Sequence, residues 1–283
     1  MSGRPLWITG ARGLIGNWLV RTARALELPG PVTGLTREQL ELTDFPKVRA
    51  EFQCQNPQLI IHCAALSRSP ECQANPGLAR RINVEATAVL AELATGIPLF
   101  FFSSDLVFDG RTGNYEEADA VNPLSVYAET KVAAEELVLA NPRHTVIRTS
   151  LNCGESIAGN RGFDEQLRCA WSAGETLRLF TDEFRSPIPA EATARAVWEL
   201  VTHSKPGLYH IAGRERLSRW QIGQLIAARY PELNPRKQPA SLKEYTGAPR
   251  PPDTSLNCSK VQRLLSSQLP GLSDWLGLQQ GGA

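Results

Sequence analysis

The chain has 283 residues, of which 42% are hydrophobic and 21% charged, so it is long enough and apolar enough to bury a substantial core. Its formal net charge of +1, without any run of lysine or arginine, argues against a nucleic-acid partner. The six cysteines form no Cys-x-x-Cys pair and the four histidines show no metal-ligand spacing, so we expect free thiols and no metal.

The chain enters an apolar run by residue 6, which leaves no room for the apolar segment of a signal peptide. Its apolar stretches are all shorter than the roughly 20 residues that a membrane span needs. We therefore expect a cytoplasmic protein with no membrane partner.

Short apolar runs alternate with stretches of helical periodicity through the first 150 residues. The strand candidates are Leu6 to Thr9, Pro31 to Leu35, Gln58 to Cys63, Pro98 to Ser103 and Thr145 to Arg148. The helix candidates are Leu14 to Ala23, Val84 to Leu93 and Val132 to Leu139. This order predicts an α/β fold, a Rossmann-type doubly wound parallel sheet with helices on both faces.

The pattern loosens after residue 150, where it predicts a small, discontinuous α/β lobe over residues 151–275. Its helix candidates are Phe163 to Trp171, Pro189 to Val201, Ser218 to Tyr230 and Ser259 to Leu265, and its strand candidates are Thr176 to Phe180 and Gly207 to Ile211. Segments such as 190–203 could return to pack on the first domain, 1–150. Residues 276–283 read as a disordered tail.

Glycines at positions 10, 13 and 16 directly follow the first predicted strand and open the first predicted helix. Such a loop lets backbone N–H groups approach a dinucleotide pyrophosphate, and the helix N-terminus adds a partial positive charge. The alternative, a chance glycine cluster in a strand-to-helix turn, fits this placement less well. We expect a bound dinucleotide.

The end of the second predicted strand suggests which dinucleotide binds. No carboxylate appears there until Glu38, whereas Arg37, together with Arg12 of the glycine loop, could pair with a 2′-phosphate. NADP(H) is therefore favoured and NAD(H) is possible. Both arginines could instead be solvated surface residues.

Tyr127 and Lys131 lie one helical turn apart, and Ser104 follows the fourth predicted strand. A tyrosine with a pKa near 10 is a poor proton donor at neutral pH, and a neighbouring ammonium can bring its pKa toward the operating range. Ser104, at the carboxyl end of the sheet, could hydrogen-bond a substrate oxygen. These three residues are the candidate catalytic group.

The order of these motifs resembles the extended short-chain dehydrogenase/reductase superfamily, and several runs are similar to its dTDP-4-dehydrorhamnose reductase branch. Those runs are Ser103-Ser104-Asp105-Leu106-Val107-Phe108-Asp109-Gly110, Asn122-Pro123-Leu124-Ser125-Val126-Tyr127, Arg148-Thr149-Ser150, Glu41-Leu42-Thr43-Asp44 and Arg250-Pro251-Pro252-Asp253. The resemblance spans about residues 4 to 270.

The resemblance implies a role for individual residues, with a nucleotide-sugar held between the lobes. The catalytic residues would be Ser104, Tyr127 and Lys131. The cofactor-binding residues would be Gly10, Arg12, Gly13, Leu14, Ile15, Gly16, Thr36, Arg37, Leu42, Thr43, Cys63, Ala64, Ala65, Asn83, Ser103, Tyr127 and Lys131. The substrate-binding residues would be Ser104, Asp105, Leu106, Leu151, Asn152 and Arg250.

Several of these residues have a plainer interpretation. Asn83 is expected as a supporting polar residue that faces the site, with a helix-surface amide as the alternative. Arg250 is expected near the substrate phosphates, with a surface ion pair as the alternative. His62 could relay protons beside the nicotinamide, although a histidine at a strand end is more often simply hydrogen-bonded in place.

The chain departs from the family pattern at the sugar-facing wall. Leu106 stands where the family has a tyrosine, and Leu151 follows Arg148-Thr149-Ser150 where the family often has tryptophan.

The leading hypothesis is an NADP-dependent reductase of a nucleotide-linked 4-keto-6-deoxysugar or a similar keto compound. The alternatives are a non-catalytic NADP-binding regulatory subunit resembling the methionine adenosyltransferase β subunit, and an epimerase or dehydratase. A homodimer is possible.

Overall fold

A central sheet of six parallel strands organises the computed structural model, which describes residues 3–278. The strands of the chain are β1 Leu6–Thr9, β2 Val32–Leu35, β3 Leu59–His62, β4 Leu99–Ser104, β5 Thr145–Thr149, β6 Asn152–Cys153, β7 Thr176–Phe180, β8 Phe184–Arg185, β9 Ile188–Pro189, β10 Gly207–Ile211, β11 Leu217–Ser218 and β12 Arg236–Ala240. The central sheet has the order β10-β5-β4-β3-β1-β2. The winding direction reverses between β1 and β3, where sheets of this type form their ligand crevice.

Helices cover both faces of the sheet. They are α1 Leu14–Ala23, α2 Phe45–Gln55, α3 Ser69–Ala74, α4 Pro76–Arg80, α5 Ala86–Leu93, α6 Val126–Leu139, α7 Phe163–Ser172, α8 Ala190–His203, α9 Arg219–Arg229, α10 Ser259–Gln262 and α11 Leu272–Leu278. A π-helical turn, Arg81–Glu85, joins α4 to α5, and short 3-10 turns occupy Asp105–Val107, Pro231–Leu233 and Leu242–Glu244. The predicted fold class is confirmed.

Alternation along the strands builds a separate core on each face. In β1, Leu6 and Ile8 pack into the core beneath α1 and α8, whereas Trp7 packs into the core beneath α2, α5 and α6. All three side chains are at most 1% exposed. A strand that is buried on both faces reads as a continuous apolar run, and for this reason the sequence indicated these strands clearly.

The second half of the chain contributes both to this sheet and to a smaller lobe. Strand β10 pairs in parallel with β5, Gly207 opposite Thr145, and becomes the sixth strand. Helix α8 packs on α1, where the Trp198 indole N–H donates to the Leu19 carbonyl at 3.1 Å. The remaining segments build a third core from α7, α9, α11 and β7. The chain therefore crosses between the lobes more than once after residue 150.

Several elements of the structure were not predicted, namely α2, α3, α4, α11, β6, β8, β9, β11 and β12. Helix α2 was not predicted, because it buries little besides Val48, although Asp44 caps it by accepting from the Lys47 N–H at 3.2 Å. Strand β12 was missed because it lies within the proline-rich residues 231–252. The prediction of a disordered tail from residue 276 is wrong for residues 276–278, which end α11 with Leu276 buried. Residues 279–283 lie outside the described residues.

No helix within residues 3–278 is both long and apolar enough to span a bilayer.

Three histidines are buried in the folded chain: His62 on β3, His144 just before β5 and His210 on β10. Burial lowers the pKa of His62 and of His210 from 6.5 to about 3, and lowers that of His144 as well. All three side chains are therefore neutral in the folded protein at pH values at which the unfolded chain protonates them.

Acidification should consequently destabilise the fold before the carboxylates titrate. Because the unfolded histidines bind protons below pH 6.5 and the folded ones do not, stability falls as the pH falls through 6.5. Between pH 7.5 and 5.5, the free energy of unfolding should fall by about 3 kcal/mol through His62 and His210 together, roughly 1.4 kcal/mol for each histidine. Urea unfolding at the two pH values measures this difference.

A matched pair of variants assigns the effect. His210→Gln should reduce the pH dependence by about 1.4 kcal/mol, whereas His203→Gln, at an exposed position, should leave it unchanged. Equal stability of the wild-type chain at both pH values would contradict the prediction.

Candidate active site

A cleft of about 1100 Å³ runs along the carboxyl ends of β1, β3 and β4 and continues into the second lobe. Most of the predicted site residues line it. They are Gly10, Arg12, Gly13, Leu14, Ile15, Gly16, Thr36, Arg37, Leu42, Cys63, Ala64, Ala65, Ser103, Ser104, Leu106, Tyr127, Lys131, Leu151, Asn152 and Arg250. The predicted residues that do not appear in this lining are Thr43, Asn83 and Asp105.

The glycine loop at one end of the cleft has the geometry that a dinucleotide needs. Gly10 has φ +68°, and a Cβ there would lie 2.8 Å from the Ala64 nitrogen. A Cβ at Gly16 would lie 2.4 Å from the Gly10 carbonyl oxygen, so this glycine lets α1 begin against the loop. Gly13, at the N-cap of α1, brings no capping side chain. The first-turn N–H groups therefore remain available to a phosphate, and the loop fits a dinucleotide.

The two arginines at the adenosine end each hold a carboxylate. Arg12 Nη1 lies 2.7 Å from Glu38 Oε1, with both side chains more than 60% exposed. Arg37 Nε lies 2.6 Å from Glu41 Oε2. The Thr43 N–H and hydroxyl donate to Glu41 at 3.0 and 2.9 Å, so Thr43 orients the carboxylate that pairs with Arg37. Its predicted contact with the cofactor stays a prediction.

Ser104, Tyr127 and Lys131 come together at the inner part of the cleft. Ser104 ends β4, and Ser125 caps α6 by accepting from the Ala128 N–H at 3.3 Å, which places Tyr127 in the first turn. Tyr127 is 8% exposed and Lys131 is 2% exposed. Lys131 Nζ lies 4.2 Å from the centre of the Phe101 ring, a cation–π contact that holds the ammonium in this wall.

The protonation of Tyr127 differs from the expectation. Burial outweighs the Ser104 hydrogen bond and raises the pKa of Tyr127 to about 12, so the predicted lowering by Lys131 does not dominate. Burial also lowers the pKa of Lys131 to about 8. The phenol therefore keeps its proton at neutral pH, and its raised pKa makes it a weaker acid than an ordinary tyrosine.

His62 lies behind the cleft in a closed hydrogen-bond chain. Its Nδ1 lies 2.7 Å from the Thr9 hydroxyl and its Nε2 lies 3.1 Å from the Thr87 hydroxyl. The Thr87 hydroxyl donates to the Asn83 carbonyl at 2.7 Å, so it accepts from Nε2–H and Nδ1 is the acceptor. This geometry supports the plainer interpretation of His62, a histidine that is hydrogen-bonded in place.

Asn83 has a structural role in this arrangement. Its Oδ1 accepts from the Leu66 N–H at 2.8 Å, and its Nδ2 donates to the Leu66 carbonyl at 3.1 Å and to the Thr130 hydroxyl at 3.0 Å. The amide is 1% exposed. It therefore fastens the loop after β3 to α6, and both the expectation that it faces the site and the surface alternative are corrected.

Asp105 is also fully buried and does not line the cleft. Its carboxylate accepts from the Ser104 hydroxyl at 3.1 Å, the Ser150 hydroxyl at 2.6 Å and Arg185 Nε at 2.6 Å. The Thr254 hydroxyl adds a fourth contact at 3.2 Å. Asp105 therefore joins the end of β4 to the second lobe and holds Ser104, and a contact with the substrate is excluded by its burial.

The predicted substrate residues have different surroundings. The leucine side chains at 106 and 151 line the cleft and make this part of its wall apolar. The amide of Asn152 is tied to its neighbours, since Nδ2 donates to the Thr149 hydroxyl at 3.0 Å and Oδ1 accepts from the Thr193 hydroxyl at 2.7 Å. Asn152 therefore helps to shape the wall at the junction with α8.

Sequence reasoning missed an arginine cluster in the second lobe. Glu183 accepts from Arg250 Nε at 2.7 Å and from Arg219 Nε at 2.8 Å, and Arg185 Nη1 lies 3.8 Å away. Burial alone would raise the pKa of Glu183, but the arginines outweigh it and lower the pKa to about 2. All four residues line the cleft. The segment around Glu183 has no periodicity, so the sequence carried no local signal for the cluster.

A Rossmann-type sheet, a glycine loop at its switch point and a Ser-Tyr-Lys group in one cleft define the class of extended short-chain dehydrogenases/reductases. A family model described as the RmlD substrate binding domain matches residues 4–276. The chain therefore belongs to this family. The membership confirms the predicted resemblance and the predicted class, an oxidoreductase of the short-chain dehydrogenase/reductase type.

Individual relatives agree with this assignment. The chain is 30% identical over 234 residues to the probable low-salt glycan biosynthesis reductase Agl14 of Haloferax volcanii, covering 78% of each chain. It is 29% identical over 279 residues to methionine adenosyltransferase 2 subunit beta of Xenopus laevis, covering 92% of this chain and 82% of that one. The structure of dTDP-4-dehydrorhamnose reductase from Bacillus anthracis in complex with NADP matches with a TM-score of 0.87 at 23% identity, covering 99% of this chain and 100% of that chain.

The buried Asp105–Arg185 pair should dominate the stability of the contact between the lobes. Arg185→Met leaves the Asp105 carboxylate buried without its cation, so we expect a loss of about 3–5 kcal/mol in the free energy of unfolding. Arg195→Met removes a pair with Glu191 whose side chains are 65% and 42% exposed, and should cost less than about 1 kcal/mol. Urea unfolding measures the loss in both variants. A loss in Arg185→Met as small as that in Arg195→Met would contradict the prediction.

Proposed function

We propose that this protein is an NADP(H)-dependent reductase of a nucleotide-linked 4-keto-6-deoxysugar. The observation that carries the proposal is the convergence of Ser104, Tyr127 and Lys131 in the cleft that begins at the glycine loop. Bound NADPH would supply a hydride from C4 of its nicotinamide to the carbonyl carbon of the substrate. The residues of the chain supply the proton and the positioning.

Each side chain has a role that follows from its surroundings. Tyr127, whose raised pKa keeps it protonated, donates its proton to the carbonyl oxygen as that oxygen gains negative charge. Ser104 orients the same oxygen by hydrogen bonding once its hydroxyl proton turns from Asp105 to the substrate. Lys131, charged and shielded from water, stabilises the tyrosinate that remains. The first turn of α1 holds the cofactor diphosphate.

The proposed cofactor is NADP(H), with NAD(H) possible. Arg12 and Arg37 lie at the proposed adenosine end, where a 2′-phosphate could displace their partners, the exposed Glu38 and the half-buried Glu41. Those pairs are weak because both arginines are well solvated. The Bacillus anthracis reductase, which has the same fold, was solved with NADP bound.

The proposed substrate is anionic at one end and apolar around the sugar. Among the described residues that line the cleft, eight are arginine or lysine and four are aspartate or glutamate. Arg219 and Arg250 lie in the second lobe, opposite the glycine loop, and suit a nucleotide diphosphate. Leu106 and Leu151 suit the methyl group of a deoxysugar better than a hydroxyl.

A second candidate is a non-catalytic NADP-binding regulatory subunit. The similarity to methionine adenosyltransferase 2 subunit beta and the apolar Leu106 and Leu151 favour it. Tight NADPH binding without turnover of any nucleotide keto-sugar, together with co-purification of another enzyme, would support this candidate. A homodimer and a cytoplasmic location stay predictions from the sequence.

The role of Tyr127 is tested by Tyr127→Phe, which removes the donated proton and little else. We expect kcat on a nucleotide-linked 4-keto-6-deoxysugar to fall by about 10²- to 10⁴-fold, while the Kd for NADPH stays within about threefold. NADPH absorbance follows turnover and fluorescence titration follows binding. Tyr209→Phe is the control, since its buried hydroxyl donates to the Lys205 carbonyl at 3.1 Å outside the cleft. Near wild-type turnover by Tyr127→Phe would exclude the mechanism.

Cofactor preference is tested by the double variant Arg12→Ser/Arg37→Ser. Loss of two charge-assisted contacts to the 2′-phosphate should weaken NADPH binding by at least about tenfold and change NADH binding by less than about twofold. Arg24→Ser, at an exposed position in the turn after α1, is the control. Unchanged NADPH affinity in the double variant would mean that the arginines serve only their carboxylate partners.

A further inference from the structure

Helix α6 continues past the candidate catalytic residues with a buried acid. Tyr127, Lys131 and Glu135 are spaced four residues apart, so they lie on one face of the helix. Glu135 is 4% exposed, although a glutamate is rarely buried without a partner. We propose that Glu135, held in place by Arg148, is a positioning residue that keeps Lys131 protonated in the wall of the cleft. The importance of this charge for turnover rests on the proposed function.

Arg148 of β5 holds the Glu135 carboxylate through both of its oxygens. Its Nε donates to the two carboxylate oxygens at 3.0 and 3.2 Å, and its Nη2 donates to Oε2 at 2.7 Å. Both side chains are 5% exposed, and the guanidinium carbon lies 5.0 Å from the centre of the Phe108 ring. The carboxylate therefore cannot turn toward water, and its charge stays one helical turn from Lys131.

The other groups around Lys131 bring no charge to it. His62 on β3 has its pKa lowered to about 3 and is neutral. The thiols of Cys63, at the end of β3, and Cys72, on α3, have raised pKa values and remain protonated. Phe101 on β4 presents the face of its ring, and Tyr127 is protonated. Among the described groups, Glu135 is therefore the carboxylate that acts on Lys131, and Arg148, which pairs with it, is the cation whose charge opposes that effect.

Burial and the Glu135 charge have opposite effects on the pKa of Lys131. Burial lowers the pKa of Lys131 to about 8, and Glu135 is the leading influence that raises it. Without Glu135, the same burial would bring the ammonium to the point of losing its proton near neutral pH. A neutral amine could not stabilise a tyrosinate at position 127. The acid thus extends the pH range over which the site holds its cation.

The direct test is the titration of Lys131 followed by NMR in protein labelled with ¹³C-lysine. The chain has six lysines, and Lys131→Met identifies the signal of Lys131. We expect Glu135→Gln to reduce the proton affinity of Lys131 about tenfold, which moves its midpoint down by about one pH unit. Glu136→Gln is the matched control, because the adjacent carboxylate is exposed. It should leave the midpoint where it is in the wild type.

An unchanged midpoint in folded Glu135→Gln would overturn the proposal. If this variant does not fold, because Arg148 loses its partner, Glu135→Gln/Arg148→Met is compared with Arg148→Met alone, so that the two differ only in the carboxylate. An equal Lys131 midpoint in these two variants would likewise overturn the proposal. In an active enzyme, the alkaline limb of the pH profile of kcat should move down with the midpoint, which a merely structural role would not produce. The lysine signal needs no turnover, so a failed reductase assay rejects the proposed function and leaves this test intact.

Discussion

A buried carboxylate beside Ser104 determines how the two lobes meet. Asp105 has no access to water, so its charge requires a cation and hydrogen-bond donors within the protein. Arg185 of β8 provides the cation, and hydroxyls from β4, from the end of β5 and from the segment after Arg250 provide donors. Because an unpaired buried charge is costly, these segments are held in one relative arrangement. This arrangement sets the width of the cleft at Ser104.

The two ends of the cleft differ in how firmly their charges are held. At the second-lobe end, Arg185 and Arg219 are 5% and 10% exposed and share Glu183, so their guanidinium groups are pre-positioned. At the adenosine end, Arg12 and Glu38 are 63% and 65% exposed and can exchange partners at little cost. The guanidinium groups at the second-lobe end are therefore held in fixed positions, whereas the arginine side chain at the glycine-loop end can change partners.

Local signals in the sequence were sufficient for the sheet and for the Ser-Tyr-Lys group. The first five strands were predicted to within one residue at each end, and β1, β3 and β4 read most clearly because burial on both faces makes them largely continuous apolar runs. Helix α2 was missed because it is amphipathic only weakly. The Gly10 loop and the Tyr127 to Lys131 spacing are short-range patterns, and the structure places both in one cleft.

Long-range pairing explains what the sequence did not show. The partners of Glu183 lie 36 and 67 residues further along the chain, and Asp105 meets Arg185 across 80 residues. No periodicity or spacing rule connects residues so far apart. The resemblance placed Asp105 in the substrate site, which is close to its position, but the family pattern carries no information on where a side chain points. Burial and hydrogen-bond partners settle that question.

The loop after β3 shows how two of these constraints act together. Asn83 projects inward from the π-helical turn and satisfies both the N–H and the carbonyl of Leu66, which ties the loop to α6. The opposite side of the same loop presses on Gly10, where any Cβ would clash with Ala64. The floor of the cleft is therefore clamped between the glycine loop and the helix that carries Tyr127. A shift of α6 would move the glycine loop as well, so the distance between Tyr127 and this loop is set by backbone packing rather than by a flexible side chain.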